Sequence, residues 1–109
     1  MNRAILVDKE VIIEPNFLKW ANWFETGNRR VANKANTQTR VSTVFLGMDH
    51  GFGGEPLWFE TMIFGGEHDE YQDRCTTYDE ALVMHEKACE LAFGTPNQGT
   101  VNNDQKIQR

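Results

Sequence analysis

The fold is decided by the stretch Leu57-Trp58-Phe59-Glu60-Thr61-Met62-Ile63-Phe64. Aromatic and β-branched residues dominate this stretch, and Pro56 and Gly65 bound it, so it predicts a β-strand. Side chains alternate along a strand, which puts the even-numbered residues on one face and the odd-numbered residues on the other. Because both faces are mostly apolar, we expect both to be covered, by the rest of the fold or by a partner.

Two further strands are predicted before this one, over residues 29–35 and 40–48, and a short β-hairpin over residues 4–13 opens the chain. The glycine-rich segment 49–56 separates the second strand from the third. After the third strand, the acidic residues between 67 and 73 predict a solvated loop.

Two helices complete the set of elements. The first follows Asn16, a good N-cap, and ends at Gly27, which we expect in the left-handed conformation. The second begins after Thr77, which has the spacing of a capping box with Glu80, and ends at Gly94. The predicted buried stripe of this second helix consists of Tyr78, Ala81, Leu82, His85, Ala88, Cys89 and Ala92.

Together these elements predict an α+β fold in which an antiparallel sheet of three to five strands packs with two helices, in the order hairpin, helix, three strands, helix. Residues 1–94 are expected to form a single domain. Residues 95–109 are rich in Asn and Gln and predict a polar, disordered tail.

Composition narrows the classes of function. The chain has 109 residues and a formal net charge of −5, which argues against nucleic-acid binding. No apolar run is long enough to span a bilayer, and the segment Met1 to Asp8 carries charge too early for a signal peptide. We therefore expect a cytoplasmic protein whose two cysteines, Cys75 and Cys89, are reduced thiols.

Four segments are similar to a known group of proteins. They are LKWANWFE (18–25), STVFLGMDH (42–50), FETMIFGG (59–66) and TYDEALVMH (77–85). Together they resemble a widespread family of small uncharacterised proteins from tailed bacteriophages and prophages. The resemblance covers roughly residues 15–90 and implies a viral origin and a host-cytoplasm setting. It transfers no reaction, cofactor or catalytic residue.

Four residues are candidates for catalysis. Asp49 and His50 lie side by side at a strand end, and Glu60 and His85 lie on apolar faces, so the four could form a metal-dependent hydrolase site if they converged. The structural alternatives are that Asp49 binds turn amides with His50 packed over it, and that Glu60 pairs with Arg29, Arg30 or Arg40. His85 would then hydrogen-bond Glu60 or a backbone carbonyl.

Other residues are candidates for binding. Trp23 and Phe52 are the aromatic side chains expected to be exposed as anchors for a protein partner. The acidic loop residues Glu67, Asp69 and Glu70 offer a recognition surface for a basic partner. Small-ligand binding, for instance of a nucleotide, would use the glycine-rich loop together with Arg29, Arg30 and aromatic residues.

The leading hypothesis is a non-catalytic bacteriophage accessory protein that binds a host or viral protein, with counter-defence or host takeover as the role the family setting implies. A homodimer is expected, because it would cover the second face of the 57–64 strand. The metal-dependent hydrolase and the nucleotide binder are the alternatives. We expect no cofactor.

Overall fold

The computed structural model describes residues 2–94, so the predicted tail over 95–109 lies outside the described residues. The elements, in chain order, are β1 (Ala4–Val7), β2 (Glu10–Ile13), α1 (Phe17–Thr26), β3 (Arg30–Ala35), β4 (Arg40–Phe45), β5 (Phe59–Phe64), β6 (Gln72–Cys75) and α2 (Tyr78–Phe93). Two helices and two antiparallel sheets confirm the predicted α+β class. Within residues 2–94, no helix has both the length and the apolar character needed to cross a bilayer.

The main sheet has four antiparallel strands in the order β3-β4-β5-β6, and β1 and β2 form a separate hairpin. The predicted acidic loop over 67–73 extends too far, because Gln72–Cys75 form a strand that pairs with β5 in the register Phe59↔Cys75 to Met62↔Gln72. Charged and polar side chains such as those of Gln72, Asp73 and Arg74 are typical of an edge strand.

The second predicted strand is shorter than expected. It ends at Phe45, and Gly47 then adopts a positive φ of 79° that turns the chain. Beyond this turn, Met48 forms an isolated bridge with Arg3. The link places the β1–β2 hairpin beside the end of the main sheet.

The start of α1 matches its prediction and its end does not. Asn16 caps the helix, with its side-chain oxygen accepting from the Lys19 N–H at 3.0 Å. Gly27 has a φ of −77°, so the predicted left-handed conformation was wrong. Glycine is needed here for space instead, since a Cβ would lie 2.6 Å from the indole of Trp23.

Both ends of α2 are as predicted. Thr77 and Glu80 form the complete capping box, and Gly94 has a φ of +88°. The buried stripe is rotated relative to the prediction, because Met84 is buried while Leu82 is 41% exposed. The buried side of α2 consists of Ala81, Met84, His85, Ala88 and Cys89.

The core lies between α2 and one face of the main sheet. Val41, Phe45, Phe59 and Ile63 are completely buried there, and α2 contacts all four strands. Helix α1 instead contacts chiefly β1, beyond the end of β4, and reaches the core through Trp23, whose ring packs edge-on against Phe45 at 5.6 Å. Neither helix lies across the opposite face of the sheet in the described part of the chain.

Candidate functional site

The opposite face of the main sheet is the most distinctive surface of the molecule. Alternation along the strands and the cross-strand register define its members. We call it the open face; it consists of Arg30, Asn33, Ala35, Arg40, Ser42, Val44, Glu60, Met62, Phe64, Gln72 and Arg74. A shallow cavity of about 160 Å³ at its centre is lined by Arg40, Ser42, Val44, Glu60, Met62 and Phe64.

Glu60 is the acidic centre of the open face. Its Oε2 atom accepts hydrogen bonds from Arg74 Nε at 3.0 Å and Gln72 Nε2 at 2.8 Å, and Arg74 Nη2 lies 3.0 Å away. The Glu60 side chain is only 15% exposed, so this network compensates much of its lost hydration. The expected partners Arg29, Arg30 and Arg40 were wrong, because the true partner lies on β6, which was not predicted.

Arg40 and Phe64 form the other pair on this face. They are directly opposite each other on β4 and β5, and the guanidinium carbon lies 4.6 Å from the centre of the phenyl ring. Arg40 Nη1 also lies 3.5 Å from Asn33 Oδ1. The arginine therefore covers part of Phe64, which is still 39% exposed.

His85 lies on the other side of the sheet, in the core beneath α2. Its Nδ1 is 2.7 Å from Thr43 Oγ1, its Nε2 is 3.4 Å from Cys89 Sγ, and the Thr43 hydroxyl also bonds Thr61. The expected bond from His85 to Glu60 or to a backbone carbonyl is therefore wrong.

The protonation states in this network follow from burial. Burial raises the pKa of the Cys89 thiol, with smaller effects from Lys34, which lowers it, and Glu86, which raises it. The thiol therefore stays protonated, and Thr43 and Cys89 can each donate to or accept from the neighbouring ring nitrogen of His85, so either neutral tautomer satisfies the ring. Burial also lowers the pKa of His85, so its ring is neutral at pH 7. Each member of the network thus has a structural role.

Asp49 and His50 stabilise the turn between β4 and β5. Asp49 Oδ1 accepts from the N–H groups of Gly51 at 2.7 Å and Leu57 at 3.0 Å. His50 Nδ1 donates to the Met48 carbonyl oxygen at 2.9 Å. These bonds match the structural alternative for Asp49, and they direct His50 toward its own turn.

The structure does not bring the four catalytic candidates together. Glu60 lies on the open face, His85 lies in the core across the sheet, and Asp49 and His50 lie in the turn beyond the end of β4. Among residues 2–94, no group of three or more His, Cys, Asp or Glu side chains could hold a metal ion. The convergence that the hydrolase requires is absent from this part of the chain.

The predicted anchors differ in exposure. Phe52 is 94% exposed on the glycine-rich loop, whereas Trp23 is half-buried against Phe45. In the acidic loop, Glu67 and Glu70 are exposed, and Asp69 accepts the Gly65 N–H at 2.7 Å to close the turn.

Two arginines line a separate cavity of about 460 Å³ between the end of α1 and β3. Its lining includes Arg29 and Arg30 but not the glycine-rich loop. The Arg29 guanidinium carbon lies 4.0 Å from the centre of the Phe24 ring, and Glu25 also lines the cavity. The carboxyl end of α1, with its negative partial charge, lies at the same place. Glu25 and this helix end oppose part of the positive charge of Arg29, and the glycine-rich loop that the nucleotide hypothesis required lies outside the lining.

The contribution of β6 to the open face was the main feature that sequence reasoning missed. Gln72 and Arg74 alternate with Asp73 and Cys75, which is the spacing of a strand, but the charged composition of the segment concealed it. No family model, curated protein or solved structure matches this chain.

Proposed function

We propose that this protein is a non-catalytic binding domain and that the open face is its binding surface for a partner protein. The observation that carries the proposal is the presence of Val44, Met62 and Phe64 on a sheet face that neither helix crosses in residues 2–94. Apolar side chains framed by polar ones, on a rigid sheet, are typical of protein interfaces.

The size of the face indicates the kind of complex. Three strands of six residues and one of four, about 4.8 Å apart and with a rise of about 3.4 Å per residue, give a flat area of roughly 360 Å². A standard stable complex buries about 800 Å² of accessible surface on each partner. A contact limited to the open face therefore belongs to the small, transient class.

The biological setting we propose follows the sequence resemblance. Of the four similar segments, 42–50 includes most of β4 and 59–66 includes all of β5, and these are the two central strands of the sheet. A bacteriophage or prophage accessory protein acting in the host cytoplasm, on a host or viral protein, is consistent with a binding surface and with catalytic candidates that lie apart. Counter-defence and host takeover are the roles this setting suggests.

The test is capture of partners from a bacterial lysate by the wild-type protein and by two variants. Phe64→Ser changes the open face, and Val83→Ser changes an exposed apolar residue on the outer side of α2 as a matched control. We expect specific partners to bind the wild type and Val83→Ser and to be lost with Phe64→Ser, with all three proteins folded by circular dichroism. Equal capture by both variants, or no specific capture by any, would contradict the proposal.

A further inference from the structure

The charge of the open face is opposite to that of the whole chain. The chain carries a formal net charge of −5. The open face holds three arginines, Arg30, Arg40 and Arg74, and one acidic residue, Glu60. The face is therefore positive by two charges on a molecule that is otherwise acidic, and this contrast favours an acidic partner.

Two of the three arginines are available to such a partner. Arg74 already binds the Glu60 carboxylate through its Nε and Nη2 atoms. Arg30 and Arg40 form no ion pair with any carboxylate in the described residues. Arg40 is held over Phe64, and a guanidinium that stacks on a ring keeps N–H groups for bidentate binding of a carboxylate.

The register sets the separation of the backbone positions of these two arginines along the strand direction. Arg30 lies opposite Val44, and Arg40 lies four residues before Val44 on the same strand. Four residues of a strand span about 14 Å, which is also the distance between residues i and i+4 of an extended peptide. In an extended peptide, residues i, i+2 and i+4 point to the same side.

We propose, on the basis of the proposed binding function, that the open face recognises an extended acidic segment with carboxylates at positions i and i+4. The carboxylates bind Arg30 and Arg40. The register places the pair Asn33 and Ser42 midway between the two arginines, so the residue at i+2 lies over this polar pair.

Two other occupants fit less well. A second copy of this chain, packed face to face, would bring the unpaired arginines of both copies into one small contact. A polynucleotide longer than the face would extend over the acidic remainder of the surface. A short acidic segment avoids both costs.

The test uses fluorescence anisotropy with labelled seven-residue peptides that contain two glutamates. In the matching peptide the glutamates are at i and i+4; in the comparison peptides they are at i and i+2, or are replaced by glutamine. We expect the matching peptide to bind most tightly and its affinity to fall as salt rises from about 0.05 to about 0.3 M. The variants Arg30→Gln and Arg40→Gln should each weaken it about ten-fold, since each removes a charge-assisted contact. Lys87→Gln, on α2, is the matched control.

The inference is overturned if the glutamine peptide binds as well as the matching one, or if Arg40→Gln leaves the affinity unchanged. It is also overturned if a single-stranded ten-thymidine DNA binds more tightly than the peptide, or if sedimentation shows a dimer that Phe64→Ser dissociates. In these cases the lysate experiment still decides the proposed function, because it depends on Phe64 and not on an acidic probe. If a segment binds and neither Arg30→Gln nor Arg40→Gln weakens it, the open face remains the proposed binding surface. Its preference for acidic segments is then disproved.

Discussion

Acidification should destabilise the fold through His85. The side chain is 5% exposed in the core, and its pKa is lowered from the usual 6.5, chiefly by burial. Lys34 lowers this pKa further and Glu86 opposes the effect. Below pH 6.5 the unfolded chain binds a proton at this position more readily than the folded chain does, so the free energy of unfolding falls as the pH falls.

The magnitude follows from the linkage relation. If His85 stays neutral in the folded protein down to pH 5.5, protonation of the unfolded chain lowers the free energy of unfolding by about 1.4 kcal/mol relative to pH 7.5. This is the upper limit for one histidine over that interval. It is a substantial part of the roughly 5–15 kcal/mol typical of a folded domain.

Urea denaturation at pH 7.5, 6.5 and 5.5 measures this loss. The variant His85→Gln should be less stable than the wild type at pH 7.5 but should lose less stability on acidification. His68→Gln changes a histidine in the loop between β5 and β6 and should retain the full pH dependence of the wild type. Equal losses of free energy by His85→Gln and the wild type between pH 7.5 and 5.5 would show that His85 does not cause the pH dependence.

Three further predictions concern single side chains. Thr43→Val should lower the free energy of unfolding by about 1–3 kcal/mol, because His85 Nδ1 would lose its buried hydrogen-bond partner. Ser42→Ala, on the opposite face of the same strand, should cost clearly less in the same urea titration, and equal losses would count against the network. Thr77→Ala should cost about 1 kcal/mol through loss of the N-cap, and an unchanged urea midpoint would contradict this. Burial raises the pKa of Cys75 to about 11, with Glu80 and Asp73 adding to the effect. The thiolate fraction of Cys75 is then about 100-fold below that of an ordinary thiol, so Cys75 should react with iodoacetamide at pH 8 far more slowly than glutathione does. Equal reaction rates would refute the raised pKa.

The sequence predicted the elements whose signals are local. Caps at Asn16, Thr77 and Gly94 are short-range motifs, and each appears in the structure as expected. The strand containing Glu60 was predicted because its β-branched and aromatic residues lie between turn residues. These signals depend on a few neighbouring residues and not on the rest of the fold.

The predictions failed where contacts between distant parts of the chain determine the local structure. Strand β6 forms because its backbone pairs with the edge of β5. The charged composition of the segment around Asp73 conceals this pairing in the sequence. The rotation of α2 was misjudged because Leu82, Val83 and Met84 are all apolar, so packing against the sheet selects Met84. The partner of Glu60 followed from the missed strand and could not have been identified without it.

The open face is built so that the free protein partly covers its own apolar residues. Across β4 and β5, Arg40 lies opposite Phe64, Ser42 opposite Met62, and Val44 opposite Glu60. Each apolar side chain thus faces a polar one, and the long stem of an arginine can lie over an apolar neighbour while its charged end stays accessible. A partner of the kind we propose would displace some of these contacts on binding, which lowers its net gain in free energy. Together with the small area of the face, this arrangement favours, for such a partner, an affinity that depends on charge more than on buried apolar surface.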